Sequence, residues 1–136
     1  MGQGERGGWI PVAQGSLYYN AFALMAPDSA RSQLRRGVVE YCVLSLLEPE
    51  PRYGFEITQL LGTNGMLLLT EGTVYPLLAR LRTAGLVATE WRESKSGPPR
   101  RYYKLTAAGR RALAAFREEW MQFRRAVDVV LLGGNA

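Results

Sequence analysis

The chain has 136 residues, with 17 Lys and Arg against 12 Asp and Glu for a formal net charge of +5, and its 47% apolar content is enough to fill the core of one domain. It has no His and a single Cys, Cys42, which excludes an internal disulfide, a Cys/His zinc site and every His-dependent catalytic arrangement. No apolar run approaches the ~18 residues of a membrane span, and the one stretch resembling a signal core, Leu17 to Ala26, is interrupted by Tyr18, Tyr19 and Asn20, so a soluble cytoplasmic protein without metal or cofactor is expected.

Residues 1–30 form an N-terminal extension in which five of the first fifteen positions are glycine. An extended arm is the simplest reading. The alternative is a short helix carrying Leu17, Tyr18, Phe22 and Met25, docked on the core or on a partner subunit. From Asp28 or Ser29 as cap, apolar positions Leu34, Val38, Tyr41, Cys42, Ser45 and Leu46 recur at helical spacing until Pro49 and Pro51 stop the helix. A second helix spans Tyr53 to Leu61, with Phe55, Ile57, Leu60 and Leu61 on its buried side, and Gly62, Asn64 and Gly65 end it. Thr70 caps a third, running to Ala84, with Val74, Leu77, Leu78 and Leu81 inward and Gly85 as its stop.

A hairpin follows. Leu86 to Glu93 and Arg101 to Thr106 are strand-like, and Ser94 to Pro99 are expected to form a loop that continues neither strand. Alternation from Leu105 puts Tyr103 and Arg101 on one face and Lys104, Tyr102 and Arg100 on the other, which faces outward if Leu105 faces the core. Thr106 caps a last helix reaching about Leu132, roughly 39 Å long at 1.5 Å per residue. The order is that of a winged helix-turn-helix at 31–106 followed by an appended helix and tail at 107–136, mainly α with a small β-hairpin.

Between residues 80 and 111, nine basic side chains face only Glu90 and Glu93, a surplus of seven, while the rest of the chain is slightly acidic. A single-sign field of that kind is an electrostatic footprint for a polyanion, unless it is merely a solvated basic face. In a winged helix the third helix enters the major groove by its N-terminus. Thr70 and Thr73 suit phosphate oxygens, Gly72 permits close backbone approach, and Tyr75 offers a donor and an apolar edge to bases. Glu71 fits the helix dipole better than a phosphate. On the wing, Lys95, Arg100 and Lys104, interleaved with Trp91, Tyr102 and Tyr103, can lie along a groove or its backbone.

In the last helix Leu113, Phe116, Trp120, Phe123, Val127 and Val130 are spaced 3, 4, 3, 4 and 3 residues apart, the period of a coiled-coil seam, so a homodimer is expected. The alternative is that this helix folds back on its own domain. Phe116, Trp120 and Phe123 near a two-fold axis are also candidates for binding a planar aromatic effector. Cys42, among apolar neighbours, reads as a small buried hydrophobe rather than a redox sensor.

The stretches Arg52-Tyr53-Gly54-Phe55-Glu56-Ile57, Thr70-Glu71-Gly72-Thr73-Val74-Tyr75-Pro76-Leu77-Leu78 and Gly97-Pro98-Pro99-Arg100-Arg101-Tyr102-Tyr103-Lys104-Leu105-Thr106, with Leu81, Gly85, Leu86, Val87 and Gly109 between and after them, resemble the PadR family of transcriptional regulators. The resemblance covers about residues 34–132 and is closest to the subgroup with a single C-terminal helix. It implies a winged-helix dimeric repressor joined through that helix, with Tyr53, Thr73, Tyr75 and the wing near DNA. The expected function is therefore a homodimeric regulator, not an enzyme, that binds a pseudo-palindromic operator in double-stranded DNA and is released by a small molecule. The competing reading is a winged-helix protein-interaction module that does not read DNA.

Overall fold

The computed structural model describes residues 29–133. The expectations for residues 1–28, including the helix through Leu17, Tyr18, Phe22 and Met25, lie outside them. Residues 29–38 belong to a different compact unit from residues 39–133, and they contain helix α1 at Ala30–Arg36. Ser29 Oγ caps it, accepting from Ser32 N at 3.1 Å.

The single helix expected from Ser29 to Pro49 is in fact two, because α1 ends at Gly37 and α2 spans Val39–Leu46. Gly is the weakest helix former after Pro. None of the α1 residues is buried, Leu34 included at 69% exposure, so no packed face on α1 holds the chain helical through Gly37.

The second unit, residues 39–133, is built on α2, strand β1 (Arg52–Tyr53), α3 (Gly54–Gly62), a 3-10 turn at Gly65–Leu67, α4 (Glu71–Thr83), β2 (Val87–Ser94), β3 (Gly97–Leu105) and α5 (Ala107–Leu132). It is a winged helix. Val43, Leu44 and Leu47 from α2 and its exit, Ile57 and Leu61 from α3, and Val74, Leu77, Leu78 and Leu81 from α4 meet in one core, closed by Val87, Tyr103 and Leu105 from the sheet. The four α4 residues fall at i, i+3, i+4 and i+7, the spacing that gives one buried face. Phe55, expected inside, is 45% exposed, since Ile57 and Leu61 define the buried side of α3.

Tyr53 does not begin α3. With Arg52 it forms β1, pairing with Tyr102 and Tyr103, and the sheet order is β1-β3-β2. Arg52 also closes the end of α2: its Nε donates to the Leu46 carbonyl at 2.7 Å, and its guanidinium pairs with Glu50 and Glu56. A cation at a helix C-terminus satisfies carbonyls that lack a helical partner.

Pro98 and Pro99 lie inside β3 rather than in a loop. Only β2 flanks this outer half of β3, and the register there is broken, with Arg92 opposite Arg100 but Ser94 opposite Gly97. A strand tolerates Pro where the ladder is irregular or lacks a neighbour.

The start of α5 is seated where α4 ends and β2 begins. Thr106 Oγ1 donates to the Gly85 carbonyl at 2.7 Å and accepts from Gly109 N at 3.0 Å, while Thr106 N donates to the Leu86 carbonyl. Gly85 has φ of 78°, and a Cβ on Gly109 would collide with the Leu86 carbonyl oxygen. Leu113 is 2% exposed and belongs to this domain's core, which removes it from the seam in which the heptad spacing placed it. Cys42 is half-buried against the core and its thiol is pushed up by burial, which favours the unreactive form.

Thr106→Ala is expected to cost about 1 kcal/mol of stability through the lost cap. Gly109→Ala should cost more, about 1–3 kcal/mol, because the new methyl meets backbone that cannot move aside. Urea unfolding of both variants checks the order.

Candidate nucleic-acid interface

Helix α4 presents its first turn to solvent: Thr70, Glu71, Gly72 and Thr73 are all exposed, while Val74 is fully buried and anchors the turn. Thr70 is the N-cap by backbone conformation, but its hydroxyl makes no capping bond to an amide and lies 3.3 Å from the Thr73 hydroxyl instead. Two hydroxyls and the helix's free amide ends therefore point outward together, an arrangement suited to oxyanions.

Tyr75 lies one turn further along. A Cβ on Gly54 would collide with its ring, so Gly54 is the floor that lets Tyr75 lie against the start of α3. Partial burial, followed by the nearby Glu71 carboxylate, pushes the Tyr75 phenol up, so it remains a protonated donor.

An open cleft beside Tyr75 is lined by Tyr53, Gly54, Trp91, Arg100, Arg101 and Tyr103. Among the described residues, its two arginines are held by rings rather than by carboxylates. Arg100 lies 4.5 Å over the Tyr53 ring and Arg101 5.0 Å over the Trp91 ring. Arg101 Nε is buried without a hydrogen-bond partner among the described residues. Rings orient a guanidinium without neutralising it, so both charges remain available to an anion.

Further along the face of β3 that carries Arg100, the charges are paired. Tyr102 packs edge-on against Tyr53 and carries Arg92 at 4.5 Å over its ring. Glu90 there accepts from Arg92 Nε at 2.7 Å and pairs with Lys104 Nζ at 3.2 Å. These two cations, Arg92 first, hold the Glu90 carboxyl below its ordinary range. Lys95 lies in the two-residue turn at the wing tip, exposed.

The structure thus gathers Tyr53, Tyr75 and Arg100 into one cleft, with Thr70, Gly72 and Thr73 in the turn of α4 that precedes Tyr75. Tyr102 and Lys104 share the face of β3 that carries Arg100 but lie outside the lining of the cleft, and Lys104 already has a carboxylate partner. Arg101 and Gly54 were missed as site residues, and Trp91 was noted only as an aromatic neighbour of the wing's basic residues. Alternation assigned Arg101 to the core side, but the core stops at Tyr103, so the same face becomes a cleft wall one pair further out.

On α5, Trp120, Phe123 and Val130 are exposed and Val127 is half-buried. Phe116 is half-buried, with one face stacked on Tyr41 at 3.9 Å between centroids and 3° between planes, so it is committed to its own domain. Trp120 stacks on Phe116 at 6.2 Å. The described residues contain no group of three or more His, Cys, Asp or Glu able to hold a metal, and no helix long and apolar enough to cross a membrane.

The chain is similar to known transcriptional regulators. Residues 43–115 match the model of the transcriptional regulator PadR-like family. The transcriptional regulator Rv3488 of Mycobacterium tuberculosis is 34% identical over 104 residues, which are 76% of this chain and 92% of that protein. Among solved structures, a PadR-like transcriptional regulator from Bacillus cereus superposes with a TM-score of 0.67 at 34% identity, over 74% of this chain and 97% of its own. A PadR family regulator from Eggerthella lenta gives 0.66 at 37% identity, over 73% and 86%.

Glu90→Gln would release Arg92 and Lys104, and should steepen the salt dependence of duplex binding by about one unit if either then reaches a phosphate. Since the parent Glu90 is held ionised below the ordinary carboxylate range, the parent slope should stay constant from about pH 7 to pH 5. Fluorescence anisotropy of a labelled duplex across a salt series measures both.

Proposed function

We propose, from the premise that this chain belongs to the PadR-like family of transcriptional regulators, that it acts as a homodimer on a pseudo-palindromic operator. It is a regulator rather than an enzyme, as its relatives are. The observation that carries the DNA-reading proposal is the cleft that Tyr75 of α4 lines together with Arg100 and Arg101, each of which lies over an aromatic ring. In this reading Thr70, Gly72, Thr73 and Tyr75 enter the major groove. Arg100, Arg101 and Lys95 take phosphates, and Tyr53 positions Arg100. Tyr102 supports Arg92, and Lys104 contributes to the field rather than to a direct contact.

The dimer rests on α5. Trp120, Phe123, Val127 and Val130 continue the heptad spacing beyond the domain core, and Trp120 and Phe123 remain 37% and 63% exposed. An apolar stripe of this kind on a long helix asks for a second helix. Two-fold symmetry then sets two α4 helices on half-sites about one helical turn, ~34 Å, apart. A dimer covering that length of duplex excludes other proteins from it, and repression requires no more than this exclusion.

Release by a planar aromatic compound would use Trp120 and Phe123 near the two-fold axis. Phe116 contributes only as the ring behind Trp120, its other face being occupied. Such a ligand shifts the DNA equilibrium only by binding the DNA-free arrangement more tightly.

Replacing Trp120 and Phe123 together by Ser should give monomers in sedimentation with weak duplex binding. Tyr75→Ala should reduce discrimination between operator and random duplex by ~1–3 kcal/mol if the ring contacts a base. Equal losses on both would assign Tyr75 to the backbone. Titration of planar aromatics against Trp120 fluorescence, with Trp9 and Trp91 replaced by Phe, should show quenching together with operator release; release without quenching would put the effector site elsewhere.

A further inference from the structure

Helix α5 leaves the winged domain through a second set of contacts, beyond the buried ones at Gly109 and Leu113. The Arg117 guanidinium meets the Glu48 carboxylate with both terminal nitrogens, Nη2 to Oε1 at 2.9 Å and Nη1 to Oε2 at 3.3 Å. Nη2 also donates to Ser45 Oγ at 3.0 Å. One position earlier, Phe116 lies face to face with Tyr41. Tyr41 and Ser45 are one turn apart on α2 and Glu48 follows its end, so all four contacts tie α5 to one side of α2. Within residues 39–133, no hydrogen bond or ion pair joins α5 to the rest of the chain beyond Arg117.

The ion pair is half-exposed, with side chains 49% and 41% accessible, and pairs of that kind add little stability. They can still fix direction. A guanidinium fork engaging both carboxylate oxygens is planar and rigid, unlike a point charge on a flexible stem.

We propose that Arg117, Glu48 and Ser45, backed by the Tyr41–Phe116 stack, form a joint that sets the angle at which α5 leaves the winged domain. That angle determines which half-site spacing the dimer accepts. The proposal rests on the dimeric reading given above. From Arg117 to Leu132 the helix runs roughly 22 Å, so a swing of about 10° carries its end through about 4 Å. That displacement exceeds the rise of one base pair, about 3.4 Å, and two-fold symmetry applies it to both domains. Arg117 is thus a positioning residue that touches no DNA.

The test is selection of binding sites from a random duplex pool by the parent, Arg117→Lys and Glu48→Gln. Both variants keep the packing volume close to that of the parent while breaking the two-oxygen fork. The parent should converge on one half-site sequence at one spacing. The variants should recover the same half-site at neighbouring spacings as well, with thermal midpoints within about 5 °C of the parent. Variants that converge on the parent spacing alone overturn the proposal, as does a parent pool that is already broad. A changed half-site sequence also overturns it, because Arg117 would then act on the reading surface itself. Sedimentation separates the two levels: a monomeric parent defeats the dimeric reading and the joint with it, whereas a dimeric parent with unaltered variants defeats the joint alone.

Discussion

The hydroxyl of Thr106 sits where four elements converge. It donates to the carbonyl of Gly85 behind α4 and accepts from the amide of Gly109 in α5, while its own backbone closes β3 against Leu86 at the start of β2. The end of the reading helix, both inner ends of the wing and the root of the long helix are therefore fixed within a few residues. That closure depends on two glycines with different duties. Gly85 takes a positive φ to turn the chain, and Gly109 gives up its side chain so that α5 can rest on a backbone carbonyl.

Outward from that junction the chemistry changes from packing to charge. Three wing arginines rest on rings, Arg100 on Tyr53, Arg101 on Trp91 and Arg92 on Tyr102. A cation over a ring at an exposed site gains only about 0.5–1 kcal/mol, enough to bias a long side chain toward one orientation without cancelling its field. Where a carboxylate is present, at Glu90, it takes two cations at once and leaves its surroundings less positive than the cleft. Charge on the wing is consequently graded, unneutralised at Arg100 and Arg101 beside Tyr75 and partly neutralised around Glu90.

Most of the architecture is legible in local pattern. The inward set of α4, the Thr106 cap and the alternation of β3 each follow from a period of 3.6 or 2 and a capping residue. What local pattern misses depends on partners distant in the chain. Arg52 and Tyr53 become a strand only because Tyr102 and Tyr103 pair with them. Leu113 and Phe116 obey the same heptad as Trp120 and Phe123, yet the first two face α2 and the core of their own domain, a division that spacing along one helix cannot express. In the cleft, Arg101 sits on the face that alternation calls internal, and only knowledge of where the core ends turns it into a surface group.

The two prolines at the start of β3 bear on how copies of this protein behave side by side. Pro98 and Pro99 supply no amide hydrogens where β3 has β2 as its only neighbour, and the ladder beside them slips between Arg92 and Ser94. A strand margin interrupted by proline and out of step is a poor template for a foreign strand. Wings brought close together on adjacent stretches of duplex are therefore kept from pairing along this part of β3.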